Sequence, residues 1–93
     1  MSNLTTYNGA SVELESTVTG EPKPTIQWFR DSLPIHYSVQ YILKEDGSLF
    51  LPNVTANQSG YYTCQAQNYA GTETHSFWVT VVSKFTPNCL DYD

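Results

Sequence analysis

The sequence predicts an all-β chain folded as a two-layer antiparallel sandwich. Three observations carry this: stretches with a two-residue apolar period, turn residues set between them at even spacing, and no convincing helical periodicity. In "SVELESTV", Val12, Leu14, Ser16 and Val18 fall on one face and Glu13, Glu15 and Thr17 on the other, the pattern of a half-buried strand. "TGEPKP" stops that strand with Gly20, Pro22 and Pro24. "TIQWFR" then turns Ile26 and Trp28 inward and Gln27 and Phe29 outward. "HYSVQYILKEDGSLFLPNV" reads as two short strands around an Asp46-Gly47 turn, with Leu49, Leu51 and Val54 as core candidates and Pro52 as terminator. A strand through Tyr62, Cys64 and Ala66 follows, then a turn over 68–71. The last strand runs from about Thr74 to Val82, with Phe77, Val79 and Val81 inward and Trp78 outward.

With 93 residues, the chain holds one domain with a single modest core. Hydrophobic residues make up 40% and charged residues 14%, a balance that favours packing over disorder. The net charge of −5 with only four Lys plus Arg argues against a nucleic-acid surface, which needs clustered cations. No apolar run reaches the roughly 20 residues of a membrane helix, and "MSNLTTYNG" lacks the basic end and apolar centre of a leader. The segment is therefore expected to be soluble, and either cytosolic or part of a longer protein. The expected division is a domain over 1–83 and a tail or linker over 84–93.

Taken together, Trp28, "DGSL" at 46–49, "SGYYTC" at 59–64 and "CQAQNYAG" at 64–71 resemble an immunoglobulin domain of the intermediate (I-set) type, over about residues 4 to 82. The resemblance implies a Greek-key sandwich, with Trp28 as the core tryptophan, Tyr62 bonding its hydroxyl back to the backbone, and Leu49 in the core. Cys64 would be one half of an inter-sheet disulfide. Ser16 stands where the other half belongs, so the bridge is missing. Its loss typically costs roughly 2 to 5 kcal/mol, which a fold with a total of about 5 to 15 kcal/mol survives. Cys89, past the last strand, makes a poor substitute. The resemblance also implies an ion pair at one end of the sandwich. Gln40 and Gln58 occupy its positions, and a neutral amide contact is the expected replacement.

Compartment signals conflict. A missing disulfide suits a reducing cytosol, as in I-set domains of muscle filament proteins. Three acceptor triplets, at Asn3, Asn53 and Asn57, suit secretion, although a composition rich in Ser and Thr also yields such triplets by chance. Adhesion-type resemblance in "CQAQNYAG", and an odd Cys89 available to a neighbouring domain, tip the expectation to the cell surface or extracellular space, with a cytoplasmic, sarcomeric or cytoskeletal site as the alternative.

Catalysis has little support. His36 and His75 lie on separate elements without metal-ligand spacing, so no metal or cofactor is expected. A Ser16, Asp31 and His75 triad lacks an activated nucleophile or an oxyanion hole. Gly47, Gly60 and Gly71 read as turn glycines, and Cys64 as an inert core thiol. Binding remains. The outer face of the sheet carrying Trp28 and Cys64 would present Phe29, Gln65, Gln67 and Trp78, with Tyr69 exposed at the tip of the last hairpin. Packing of Phe29 and Trp78 on each other near Leu33 is the plainer reading of the two aromatics. The expected function is a protein-interaction module of the adhesion or receptor type in a multidomain protein, with homophilic pairing among the options. The alternative is a load-bearing unit of an intracellular filament. Neither nucleic acid nor a small-molecule substrate is expected.

Overall fold

The computed structural model describes residues 2–16 and 20–83. Val18, the 84–93 tail and Cys89 lie outside the described residues. Among the described residues eight strands form two sheets. The larger has the order β1 (Ser2–Tyr7), β8 (Gly71–Val82), β7 (Gly60–Asn68), β3 (Thr25–Arg30), β4 (Leu33–Pro34). The smaller has the order β2 (Val12–Leu14), β6 (Leu49–Leu51), β5 (Ile42–Leu43). A short 3-10 turn, Ala56–Gln58, leads into β7.

The alternating stretches build this frame. β7 and β8 pair without interruption from Gly60↔Val79 to Asn68↔Gly71. Their two-residue connection is closed by Asn68, whose Oδ1 accepts the Ala70 N–H at 2.9 Å. β3 lies antiparallel to β7, so Trp28 sits beside Cys64 and Ile26 beside Ala66. The inward residues of both sheets then close the core: Val12, Leu14, Trp28, Leu49, Leu51, Val54, Tyr62, Cys64, Val79 and Val81. Phe77 packs on this core with its ring 5.8 Å from that of Trp28.

Trp28 is fully buried, and its indole N–H is satisfied at 2.8 Å by the carbonyl of Gly47. That contact fixes the Asp46-Gly47 turn against the larger sheet. Gly47 has φ +91°, and a Cβ there would stand 3.0 Å from Ile26 Cγ1, so both backbone and space demand glycine.

Three features depart from the sequence reading. β1 has no alternating pattern, yet pairs with β8 in parallel from Ser2↔Phe77 to Tyr7↔Val82. β2 ends at Leu14, leaving Ser16 half-buried just beyond the strand. β3 turns into β4 through Asp31 and Ser32 at φ 50° and 71°. Two successive left-handed residues are what a two-residue hairpin between twisted strands requires.

Candidate functional site

Pairing fixes which side chains share the outer face of the five-stranded sheet. Because Trp28, Tyr62, Cys64 and Val79 are buried, their neighbours along each strand point away from the core. Across the strands these neighbours line up in rows: Asn3, Trp78 and Tyr61; then Ser76, Thr63 and Phe29; then Thr74, Gln65 and Gln27; then Thr72, Gln67 and Thr25. Thr5 with Thr80 and Tyr7 with Val82 continue the face along β1 and β8. None of these side chains carries a formal charge. Charges gather elsewhere. Lys44 meets Glu13 at 3.0 Å on the smaller sheet, and Arg30 and Asp31 stand at the end of β3.

Trp78 is 48% exposed, and its ring packs against that of Tyr61 with centroids 4.8 Å apart and planes tilted by 52°. The sequence reading placed Trp78 against Phe29. Phe29 instead occupies the next row, half-buried between Thr63 and Pro34. Tyr61 went unremarked in the sequence because its neighbour Tyr62 absorbs the family motif; its phase, opposite to the buried Tyr62 and Cys64, is the signal that finds it. Tyr61 is also anchored by its backbone: its N–H donates to Asp31 Oδ1 at 3.0 Å, and its carbonyl accepts the Asp31 N–H at 2.8 Å. Gln65 is half-buried and Gln67 exposed on the same face. Tyr69, 87% exposed, stands at the hairpin tip away from the Trp78 row.

Beneath the face, the fold-signature residues are joined as follows. Tyr62 Oη donates to the Gln58 carbonyl at 2.6 Å, and burial pushes the phenol well above its ordinary range. Cys64 is buried as a free thiol and donates to Ser16 Oγ at 3.7 Å; burial raises its pKa and the Ser16 contact opposes the rise. Among the described residues no hydrogen bond joins Gln40 and Gln58. Gln58 is turned inside, 4% exposed, where its Oε1 accepts the Thr55 N–H at 2.9 Å and its Nε2 has no partner among the described residues. Gln40 stays on the surface, its N–H on Ser38 Oγ. The expected amide contact is therefore replaced by a cation on carbonyls: Arg30 donates to the Asn57 carbonyl and, at 3.1 Å, to that of Ser59.

The imagined triad does not assemble, because Asp31 is held by the Tyr61 amide while Ser16 is engaged with Cys64 and Ser48. His36 is exposed beyond β4 and His75 is exposed on β8. Of the three acceptor triplets, Asn3 lies on β1 beside Trp78, Asn53 takes a left-handed φ of 51°, and Asn57 lies in the 3-10 turn. Among the described residues no helix is long and apolar enough to cross a membrane.

Residues 1–81 match the family model of the immunoglobulin I-set domain. Among curated proteins the chain is similar to mouse hemicentin-2, 40% identical over 72 residues that cover 77% of this chain and 1% of that protein. It is also similar to rat neural cell adhesion molecule L1, 36% identical over 80 residues that cover 86% of this chain and 6% of that protein. The chain thus spans a small fraction of either relative's length. Among solved structures, the complex of titin M10 with an obscurin-like 1 immunoglobulin domain superposes with a TM-score of 0.83 at 29% identity, over 90% of this chain and 89% of that one. The matched family, the two-sheet architecture and these relatives lead to one conclusion: the chain belongs to the immunoglobulin I-set family, as a non-enzymatic module.

Proposed function

We propose that this domain is a protein-interaction module of the cell-adhesion or receptor-ectodomain kind, working within a larger multidomain protein at the cell surface. It docks through the uncharged face, with Trp78 and Tyr61 as the anchor and Phe29, Gln65 and Gln67 as the surround. The observation that carries this reading is a tryptophan left 48% exposed and already packed against Tyr61, in a face free of formal charge. Interface centres are depleted in charge and enriched in aromatics, and a pair already packed together loses little side-chain entropy on binding. Gln and Thr side chains both donate and accept, so the same surface suits another protein or a second copy of this chain. Similarity to an adhesion molecule supports the same class.

The test is adhesion of beads coated densely with the domain, made in a host that adds no N-glycan, to cells and to one another. Trp78→Ala is expected to lower adhesion about tenfold or more, the loss of an anchor worth roughly 2 kcal/mol, with the thermal midpoint nearly unchanged. Equal adhesion by the two proteins overturns the reading.

A second reading has its own observation. The Cys64 thiol faces a serine hydroxyl instead of a disulfide partner, which suits a reducing compartment and a load-bearing unit in an intracellular filament. The similarity to a chain of the titin M10 and obscurin-like 1 complex supports it. On that reading Trp78→Ala leaves adhesion unchanged.

A further inference from the structure

We propose that Asn3 is an N-glycan acceptor whose first sugar lies over the Trp78 and Tyr61 rings, so that occupancy of this one triplet closes the uncharged face to protein partners. The closure rests on the binding reading above; the placement of the sugar does not.

The three triplets differ in how the fold treats them. Asn53 has a left-handed backbone, Val54 behind it is fully buried, and the Thr55 hydroxyl donates to Asn57 Oδ1. In the Asn57 triplet, Gln58 is buried and Ser59 Oγ accepts the Val81 N–H at 2.8 Å. Asn3, Leu4 and Thr5 are all exposed, on a strand at the edge of the five-stranded sheet. This triplet alone combines an extended backbone with three exposed residues, and its third residue is threonine.

Register then decides what a sugar on Asn3 meets. Asn3 is the pairing partner of Trp78, and Trp78 is the pairing partner of Tyr61, so the three share one face on adjacent strands about 4.8 Å apart. An N-acetylglucosamine on the Asn3 amide would lie along this row. Its ring has one face of C–H groups, and the π faces of Trp78 and Tyr61 carry the partial negative charge that attracts them. No charged side chain intervenes in the row to hold water there.

The covalent step is transfer of an oligosaccharide from a polyprenyl-diphosphate donor by the secretory pathway's transferase. The Asn3 amide nitrogen bonds to C1 of the first N-acetylglucosamine and gives up one proton to the enzyme. The C1–O bond to the lipid diphosphate breaks, and the lipid diphosphate leaves with the electron pair.

The experiment secretes the chain from a glycosylating host behind an added leader, maps sites by peptide mass, and measures acrylamide quenching of tryptophan fluorescence. Trp28 is fully buried, so quenching reports Trp78, and Trp78→Phe supplies the baseline. The expected result is a glycan on Asn3, with quenching reduced to that baseline and still reduced after enzymatic trimming to a single N-acetylglucosamine. The Asn3→Gln chain should regain quenching and adhesion. An unmodified Asn3, whether the chain is secreted or retained, overturns the proposal. A glycan on Asn3 with Trp78 quenched as freely as in Asn3→Gln overturns it as well. Protected Trp78 with equal adhesion of the glycosylated and Asn3→Gln chains overturns the closure. Absence of adhesion in the Asn3→Gln chain is instead the failure of the binding reading, and the quenching result then decides the sugar placement by itself.

Discussion

The Cys64 thiol and the Ser16 hydroxyl stand 3.7 Å apart, one on β7 and the other just past β2, in contact across the two sheets. A cysteine at 16 would bring to that place two sulfurs that are 48 positions apart in sequence. Ser16→Cys is therefore expected to form a bridge on oxidation and to stabilise the fold by about 4 kcal/mol on the chain-entropy argument. Loss of two hydrogens in the intact mass, and a thermal midpoint that falls back when reductant is added, would check it. An oxidised variant no more stable than its reduced form would count against the geometry.

The native thiol gives a pH prediction. Burial raises the Cys64 pKa above its ordinary 9.0, so the folded chain resists losing a proton that the unfolded chain releases. Stability from this group is intact below pH 9.0 and is lost as pH rises above it. Denaturant midpoints from pH 8 to 10.5 should fall more steeply for the native chain than for Cys64→Ala.

Tyr62 holds the Gln58 carbonyl at 2.6 Å inside the fold. Tyr62→Phe leaves that carbonyl without its donor and is expected to destabilise by about 1–3 kcal/mol, read from urea unfolding. A neutral substitution would mean that water or a shifted chain replaces the hydroxyl.

Ser32 sits at φ 71° in the turn between β3 and β4. Glycine adopts that conformation without the Cβ penalty, and Ser32→Gly should stabilise by about 0.5–1 kcal/mol. Asp31 is the poorer site to change, since its side chain also accepts the Tyr61 N–H.

At the other end of the molecule, Asp46 Oδ1 accepts the Ser48 N–H at 2.9 Å, and that bond lowers the Asp46 pKa below its ordinary 3.8. A depressed carboxylate contributes stability above its unfolded value and loses it as pH falls through the folded one. Asp46→Asn keeps the acceptor and should flatten the part of the acid unfolding curve below pH 3.8.

The sandwich was legible in the sequence wherever one strand face is buried and the other wet, as in Tyr62, Cys64 and Ala66 or Val79 and Val81. β1 was hidden because "SNLTTY" is exposed on nearly every residue and is held by backbone pairing, which leaves no apolar period. The β3–β4 hairpin was hidden because Asp31-Ser32 lacks the Asn-Gly chemistry that announces such turns. Strand phase alone put Trp78 outside, but its partner depended on register, and register brought Tyr61 instead of Phe29 beneath it. The Gln40 and Gln58 contact failed for a similar reason: sequence position cannot say which side chain turns inward, and Arg30 reached the carbonyls first.

The parallel pairing of β1 with β8 has a mechanical consequence. Ser2 lies beside Phe77 and Val82 beside Tyr7, so the outer ends of the two strands point in opposite directions, about 17 Å apart at the usual rise of about 3.3 Å per residue. Tension applied at Ser2 and Val82 would run along the strands and load their bonds in shear, all at once, where a hairpin pulled from its open end would unzip one bond at a time. A domain strung between neighbours by these two strands would yield as a unit under force.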